Sequence, residues 1–269
     1  MAIGAVFPRV MTETGGKLRR LASTGAAQSL GRDAMTTILL TGSSRGIGAA
    51  ALRALEGRGC TVIGHSTRGG DGMIAADFTQ PGAPQMLWEE ALEMAGGSID
   101  VVVNNAGLFD PNPLNSADIR WLDAWEDTLR INLTSAAQLS RFAVQHWLEA
   151  GRPGRLVHVA SRAGHRGDSP AHWHYAAAKG GMLALHKTIA RAHAADGIMS
   201  YAIAPGFTDT SMAGDYLASR GGPDLLKDIP LGKVAEPEEI ATLIAFCALD
   251  APPSLTGATL DANGASYVR

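Results

Sequence analysis

Short, almost continuous apolar runs alternate with helical segments along most of this chain. The runs that predict strands are Thr36–Leu40, Thr61–Ile63, Ile99–Val103, Leu156–Val159 and Met199–Ala204. Strands that lack a polar face must be covered on both sides, which is typical of a parallel sheet with helices on each face. Right-handed crossovers between such strands produce a doubly wound architecture. The sequence therefore predicts an α/β fold built on a doubly wound parallel sheet.

Composition excludes several other classes of protein. The 269 residues are 46% hydrophobic, which allows a sizeable core and excludes disorder of the whole chain. A formal net charge of −3 indicates no basic surface for nucleic acid. Apolar runs are all shorter than the roughly 18 residues that span a bilayer. Two cysteines, Cys60 and Cys247, are too few for a secreted disulfide framework, so we expect a cytoplasmic protein without membrane or nucleic-acid partners.

The first 34 residues differ from the rest of the chain. Residues 1–34 mix basic and small polar side chains without a sustained hydrophobic period. We interpret them as a disordered N-terminal extension or the product of an upstream start codon, and a transit peptide is the alternative. Residues 35–269 contain no repeat and no linker. They are predicted to form a single domain.

A glycine-rich turn separates the first predicted strand from the helix that follows it. Thr41–Gly48 reads T-G-S-S-R-G-I-G and leads into a helical stretch over Gly46–Leu55. Glycines allow the backbone to approach a pyrophosphate, and a helix N-terminus directs free N–H groups at the anion. The spacing G-x-x-x-G-x-G differs from the commoner G-x-G-x-x-G. The candidate cofactor-binding residues of this turn are Gly42, Ser44, Arg45, Gly46, Ile47 and Gly48.

The turn resembles the cofactor turn of the short-chain dehydrogenase/reductase family, and further motifs of that family follow in order. They are Asn104-Asn105-Ala106-Gly107, Asn132, Ser161, the Y-x-x-x-K pair Tyr175 and Lys179, Pro205-Gly206 and Thr210. The resemblance covers nearly all of residues 36–264. It implies a Rossmann-type NAD(P)-binding domain and a catalytic tetrad of Asn132, Ser161, Tyr175 and Lys179. In such a tetrad the serine steadies the substrate oxygen and the asparagine holds a water in the proton path.

The spacing of Tyr175 and Lys179 is chemically meaningful in its own right. They stand four residues apart in a predicted helix over Ala171–Ala195, with Ser169-Pro170 as N-cap and first residue and Gly197 as the stop. Residues four apart share a helical face, so we expect the ammonium to lower the pKa of the phenol. Such a phenol serves as a general acid–base. Taken alone, the same spacing also describes an ordinary surface pair.

The choice of nicotinamide cofactor depends on the end of the second strand. Ser66 stands where NAD-preferring folds place an acidic residue on the ribose 2′-OH, and Arg45 and Arg68 are suited to a 2′-phosphate. We therefore expect NADP, with NAD as the alternative. For Arg68, an ordinary solvated loop charge is an equally good interpretation. The resemblance implies further cofactor contacts at Asp77, Phe78, Asn105, Ala106, Gly107, Pro205, Gly206, Thr208 and Thr210.

Two histidines precede Tyr175 and do not complete a metal site. His172 and His174 have no nearby set of cysteine, histidine or carboxylate ligands in the sequence. We expect them at the rim of the substrate pocket or in solvent, and we expect no metal. The segment Thr210–Leu231 is glycine-rich and lacks a strong apolar period, so it is predicted to be a mobile substrate lid.

The predicted function is hydride transfer between NADP(H) and a small carbonyl or secondary alcohol substrate, with Tyr175 as acid–base. The resemblance is to the 3-oxoacyl-carrier-protein reductase-like branch and implies a homo-oligomer, a tetramer or a dimer, built through long helices such as Ala124–Leu148. Two alternatives stay open. One is an NAD-preferring alcohol or sugar dehydrogenase, and the other is a non-catalytic NADP-binding sensor on the same fold.

Overall fold

The predicted strands lie side by side in one sheet. A computed structural model describes residues 35–210 and 226–269, so the predicted extension 1–34 and most of the predicted lid lie outside the described residues. Within these ranges the strands are β1 (Thr37–Leu40), β2 (Thr61–Ser66), β3 (Ile74–Ala75), β4 (Val101–Asn104), β5 (Gly154–Val159), β6 (Ile198–Pro205) and β7 (Thr259–Ala262). Their order is β3-β2-β1-β4-β5-β6-β7, and every neighbouring pair is parallel. This order confirms the doubly wound, Rossmann-type sheet.

Helices cover both faces of the sheet. In the described ranges they are α1 (Gly46–Glu56), α2 (Ala83–Met94), α3 (Asp118–Leu129), α4 (Ser135–Ala150), α5 (Ala163–Arg166), α6 (Trp173–His193) and α7 (Pro237–Ala245). Single π-helical turns at Arg130–Thr134 and Phe246–Asp250 follow α3 and α7 directly.

The apolar strands divide their side chains between two cores. On β1, Ile38 and Leu40 belong to a buried cluster with residues of α1 and α7, whereas Leu39 belongs to a cluster with residues of α2 and α4. Both clusters are closed to solvent, since all three side chains have no exposed surface. Strands with two buried faces need apolar residues at successive positions, which explains why the runs are nearly continuous.

The predicted start of α6 is wrong. Ser169-Pro170 was expected as N-cap and first helical residue, but the helix begins at Trp173. The N–H of His172 donates to the carbonyl oxygen of Ser169 over 2.9 Å. This bond closes a turn with Pro170 in its second position, where the fixed φ of proline is equally favourable. The helix ends at His193, and Gly197 adopts a left-handed φ of 79° after one 3₁₀ turn, close to the predicted stop.

Candidate active site

The glycine turn is tightly packed against the end of β4. Gly42 has a φ of 67°, and a Cβ atom there would lie 2.8 Å from the Cα atom of Ala106. A Cβ atom at Gly48 would lie 1.9 Å from the carbonyl oxygen of Gly42. Only glycine fits at either position, and the turn is therefore held close to the first residues of α1.

The N-terminus of α1 is open to an anion. Its N-cap, Arg45, is extended and makes no side-chain capping bond, and the first turn of α1 contains no acidic residue. The first amides of a helix have no acceptor within the helix. Their N–H groups and the helix dipole suit a phosphate, so these residues fit the pyrophosphate of a dinucleotide.

Asn105 joins the turn to the neighbouring strand. Its Nδ2 atom donates to the carbonyl oxygens of Thr41 and Gly42, each over 3.0 Å. The backbone N–H groups of Asn105 and Ala106 both donate to Oγ1 of Thr41, again over 3.0 Å. These four bonds fix the crevice between β1 and β4, where the strand order reverses and where ligands of open α/β sheets bind.

A cavity of about 320 Å³ extends from the glycine turn to α6. Every predicted site residue except Arg68 lines it: Gly42, Ser44, Arg45, Gly46, Ile47, Gly48, Asp77, Phe78, Asn105, Ala106, Gly107, Asn132, Ser161, Tyr175, Lys179, Pro205, Gly206, Thr208 and Thr210. Side chains from distant parts of the chain thus meet along the carboxyl ends of β1, β4, β5 and β6.

Arg68 is the exception among the predicted cofactor contacts. It lies exposed on the bend after β2, and Thr67 lines the cavity in its place. Gly69 and Gly70 follow with φ values of 68° and 92°, which turn the chain back toward β3. In this position Arg68 stays a predicted cofactor contact, and an ordinary solvated loop charge stays its alternative.

Tyr175 and Lys179 lie on the face of α6 that borders the cavity. The Nζ atom of Lys179 is 5.7 Å from the centre of the Tyr175 ring and donates to the carbonyl oxygen of Val159 over 2.8 Å. Burial raises the pKa of Tyr175 to about 12, although a hydrogen bond with Ser161 acts in the opposite direction. Burial also lowers the pKa of Lys179 to about 8.

The expected lowering of the Tyr175 pKa is therefore wrong in this geometry. Removal of the phenol from water disfavours the phenolate, and this burial is the largest cause of the raised pKa of Tyr175. At neutral pH the tyrosine is a protonated phenol. This is the form that donates a proton rather than the form that accepts one.

Asn132 is held in place by the π-helical turn between α3 and α4. It has no exposed surface, and its Nδ2 atom donates to the carbonyl oxygens of Thr128 and Leu108, each over 3.0 Å. Its Oδ1 atom accepts the N–H of Leu108 over 3.2 Å. A Cβ atom at Gly107 would lie 2.9 Å from this Oδ1 atom and 3.7 Å from Nζ of Lys179. Asn132 and Lys179 therefore border the same small space beside Gly107.

Ser161 follows β5 and lines the same cavity as Asn132 and Lys179. It is 9% exposed, and its Oγ atom accepts the N–H of Ala163 at the start of α5 over 3.1 Å. Because this bond uses only a lone pair of the oxygen, the hydroxyl hydrogen is left to donate to another acceptor.

The expectation for His172 and His174 is wrong, because both are buried. His172 has no exposed surface and His174 only 1%. The His172 ring stacks on Phe109 with 4.1 Å between ring centres, and Phe109 meets the Tyr175 ring edge-on at 4.7 Å. The Nδ1 atom of His174 accepts the N–H of Tyr175 over 2.9 Å. Both histidines therefore stabilise the start of α6, and neither lines the cavity.

The part of the chain that the structure describes offers neither a metal site nor a membrane-spanning helix. It contains no group of three or more histidine, cysteine or carboxylate side chains placed to hold a metal ion. None of its helices combines the length and the apolar character needed to cross a membrane.

Comparison with known proteins assigns the family. A family model described as enoyl-(acyl carrier protein) reductase matches residues 42–264. A 3-oxoacyl-(acyl-carrier-protein) reductase of Escherichia coli is 34% identical over 243 residues, which cover 86% of this chain and 96% of the relative. The chain belongs to the short-chain dehydrogenase/reductase family.

Two other relatives agree with this assignment. A 3-oxoacyl-(acyl-carrier-protein) reductase of Vibrio cholerae is 35% identical over 86% of this chain and 96% of its own length. A cis-4-hydroxycyclohexanecarboxylate dehydrogenase of Sinomonas cyclohexanicum is 35% identical over 84% of this chain and 94% of its own length. This short-chain dehydrogenase/reductase is an oxidoreductase of the 3-oxoacyl-carrier-protein reductase-like branch, acting on CH–OH or carbonyl groups with NAD(P).

The sequence did not identify several residues that line the cavity of this short-chain dehydrogenase/reductase. They are His65, Leu108, Phe109, Arg162, Asp168 and Phe207. Three of these, Leu108, Arg162 and Phe207, directly follow a motif residue, so their proximity to the motifs was the available signal. The guanidinium of Arg162 lies 4.7 Å from the centre of the Phe207 ring, a contact across two loops that no local pattern predicts.

Proposed function

We propose that residues 35–269 form the catalytic domain of an NADP(H)-dependent reductase or dehydrogenase, which interconverts a ketone and a secondary alcohol. The observation that carries this proposal is the meeting of Tyr175, Lys179, Ser161 and Asn132 along the same cavity as the glycine turn. A non-catalytic sensor that only binds the nucleotide needs the turn but has no use for these four side chains together.

Tyr175 is the proposed proton donor in the direction of reduction. Its pKa of about 12 keeps the phenol protonated at neutral pH, so a proton is available for the developing alkoxide oxygen. The hydroxyl of Ser161 is placed to donate a second hydrogen bond to the same oxygen. A nicotinamide bound in this cavity supplies or accepts the hydride.

Lys179 and Asn132 are proposed to return the proton to Tyr175. The ammonium and the amide oxygen border the space beside Gly107, which suits a bridging water. Asn132 keeps its orientation because both of its side-chain atoms are bonded to the backbone of Leu108. The asparagine therefore has a structural as well as a relay role in this proposal.

The cofactor preference for NADP rests on two positions. The last residue of β2 is Ser66, which has no carboxylate to bind a ribose diol. Its hydroxyl donates instead to the carbonyl oxygen of Gly69 over 3.1 Å. Arg45 is exposed at the cavity edge, where a guanidinium can bind a 2′-phosphate. Charge-assisted bonds contribute about 1.5–3 kcal/mol each, so one contact corresponds to roughly 10–100-fold discrimination.

Titration of the wild type, Ser66→Asp and Arg45→Ala with both cofactors tests this preference. Arg45→Ala is expected to weaken NADP binding and leave NAD binding nearly unchanged. Ser66→Asp is expected to repel the phosphate and move the preference toward NAD. Wild-type protein that binds NAD at least as tightly as NADP would refute the proposed preference.

The activity itself is tested by mixing the full chain with NADPH or NADH and a panel of carbonyl compounds. The names of the relatives direct the choice of panel to 3-oxoacyl thioesters and to ketones of cyclohexanecarboxylates. Loss of the absorbance of the reduced nicotinamide reports turnover. Tight NADPH binding without turnover across the panel would instead favour the sensor.

The proposed assembly is a homo-oligomer, a tetramer or a dimer, in the cytoplasm. Ile119 and Leu122 on α3 and Trp173 at the start of α6 are 72%, 50% and 54% exposed, and they give this side of the molecule an apolar surface. Light scattering on the full chain measures the mass in solution. Ile119→Glu is expected to shift the mass toward the monomer, whereas Met86→Glu, at a position on α2 that is 61% exposed, is the control.

A further inference from the structure

His65 lies at the adenosine end of the cavity and was not singled out by any sequence motif. It is the last but one residue of β2 and is 2% exposed. Its Nδ1 atom accepts the N–H of Gly42 over 3.2 Å, and its Nε2 atom lies 2.8 Å from the carbonyl oxygen of Ala76. One imidazole thus connects the glycine turn to the segment after β3.

The two bonds require a single neutral tautomer. The N–H of Gly42 only donates, so Nδ1 must be unprotonated, and the carbonyl of Ala76 only accepts, so Nε2 must carry the hydrogen. Burial lowers the pKa of His65, which favours this neutral form. An imidazole has a donor and an acceptor on opposite edges of one rigid ring, and this arrangement uses both.

The ring and the backbone of His65 add further contacts to the same two segments. The imidazole stacks on Phe78 with 4.4 Å between ring centres and an angle of 18° between planes. The N–H of His65 donates to Oγ of Ser43 over 3.0 Å, and its carbonyl oxygen accepts the N–H of Ser43 over 2.9 Å. The turn, β2 and the segment Ala76–Phe78 are therefore joined at this residue.

We infer that His65 is a positioning residue for the adenosine half of the cofactor, acting through Gly42 and Phe78. This inference rests on the proposed function, because it assigns a role within the same cofactor site. The imidazole fixes the backbone of the glycine turn on one side and the aromatic wall on the other. Tyr175 and Lys179 lie on α6 and contact other residues, Phe109 and the carbonyl oxygen of Val159.

Asparagine and glutamine side chains can each replace one edge of the imidazole. Asparagine places an oxygen near the position of Nδ1 and can accept from Gly42, whereas glutamine places an N–H near Nε2 and can donate to Ala76. Alanine provides neither. If the bond to the turn matters most, affinity should follow the order histidine, asparagine, glutamine, alanine.

The experiment uses the full chain and calorimetric titration with NADPH and with adenosine 2′,5′-bisphosphate, which represents the adenosine half alone. His65→Ala is expected to weaken both ligands about tenfold, the effect of losing one well-placed hydrogen bond. His65→Asn is expected to recover most of this loss. In steady-state assays the KM for NADPH should rise while kcat at saturating cofactor stays unchanged.

His186→Asn is the matched control for general loss of stability. His186 is also a fully buried histidine, and its Nε2 atom pairs with Oγ1 of Thr259 on β7, away from the cofactor cavity. We expect this variant to have a lower Tm with normal affinity for adenosine 2′,5′-bisphosphate. Equal weakening of that ligand in His186→Asn would show a general structural effect and overturn the inference.

The outcomes separate this inference from the proposed function. Unchanged affinity of His65→Ala in a wild-type protein that binds and uses NADPH would overturn the role of His65 alone. A wild-type protein that binds none of NADPH, NADH and adenosine 2′,5′-bisphosphate would overturn both the role of His65 and the proposed function. If His65→Ala does not fold, tighter binding by His65→Asn than by His65→Gln is the expected result, and the reverse order would overturn the inference.

Discussion

Burial shifts the pKa values of Tyr175 and Lys179 in opposite directions, because it favours the uncharged form of each side chain. The phenol keeps its proton because its pKa is raised to about 12. The ammonium, with a pKa lowered to about 8, is close to losing its proton under ordinary conditions. In the proposed mechanism the pair therefore enters carbonyl reduction with a protonated phenol and a readily titrated ammonium, so activity should be sensitive to single substitutions and to pH.

Replacement of Tyr175 by phenylalanine removes the proton donor and keeps the ring that packs on Phe109. We expect turnover to fall at least about a hundredfold, the lower range for loss of acid–base catalysis, with NADPH affinity unchanged. Steady-state kinetics and titration of NADPH measure the two quantities. Tyr201→Phe, which removes another phenol on β6, is the control and should keep its activity. Unaltered turnover of Tyr175→Phe would refute the proposed mechanism.

The pH dependence of reduction should follow Lys179. The ammonium predominates below about pH 8 and is lost above it, so kcat should be constant on the acid side and fall as the pH rises through this value. An arginine keeps its charge at all accessible pH values. Residual activity of Lys179→Arg should therefore lack this fall. A wild-type kcat that stays constant well above pH 8 would contradict the assignment.

Most residues of the site could be predicted because family motifs and the carboxyl ends of strands coincide. Asn132 follows α3, Ser161 follows β5 and Tyr175 lies on α6, and all three line the cavity at the carboxyl ends of the strands. His65 and Phe109 could not be predicted in this way. Their roles depend on ring stacking with Phe78 and His172, and sequence spacing carries no information on such contacts.

At the scale of elements, α5 and α6 pack backbone to backbone beside Lys179. A Cβ atom at Gly164 would lie 2.7 Å from the carbonyl carbon of Lys179 and 2.9 Å from the backbone nitrogen of Gly180. Backbone atoms within a helix cannot move aside as the end of a flexible side chain can. The short helix after Ser161 is therefore kept against the catalytic helix by the absence of a side chain.

Gly164→Ala should separate these two helices. We expect a loss of about 1–3 kcal/mol in the free energy of unfolding, as for other overpacked sites, together with lower activity. Gly82→Ala is the control, because a Cβ atom at Gly82 has no neighbour within 4 Å and its φ is −84°. Thermal denaturation and kinetics of both variants measure the effect. A Gly164→Ala protein as stable and active as the control would show that the contact is easily relaxed.

Elements with a strong local signal were predicted to within a few residues, and those without one were not. The first helix was expected over Gly46–Leu55 and spans Gly46–Glu56, because the glycine turn marks its start. The π-helical turn at Arg130–Thr134 was not expected, since one additional residue barely alters a hydrophobic period. It lies within a stretch that the sequence predicts as a single helix, Ala124–Leu148.

At the scale of the whole molecule, fold and site follow from one arrangement of strands. The chain lays β2 and β3 on one side of β1 and β4 to β7 on the other, so the connections leave a crevice at the end of β1. The glycine turn lies on the β1 side of this crevice, and Asn105 and Ala106 lie on the β4 side. This topology was predictable, since apolar strands separated by helices permit few alternatives.

Residues 1–34 should be dispensable for folding and for cofactor binding. The seven described strands, both large core clusters and every described residue that lines the cavity belong to residues 35–269. A chain that starts at Met35 keeps all of these contacts, so we expect its stability to change by only about 0.5 kcal/mol. Its Tm should therefore stay within about 2 °C of the full chain, and its affinity for NADPH should be the same. A fall of many degrees in Tm, or markedly weaker NADPH binding, would show that the extension packs on the catalytic domain.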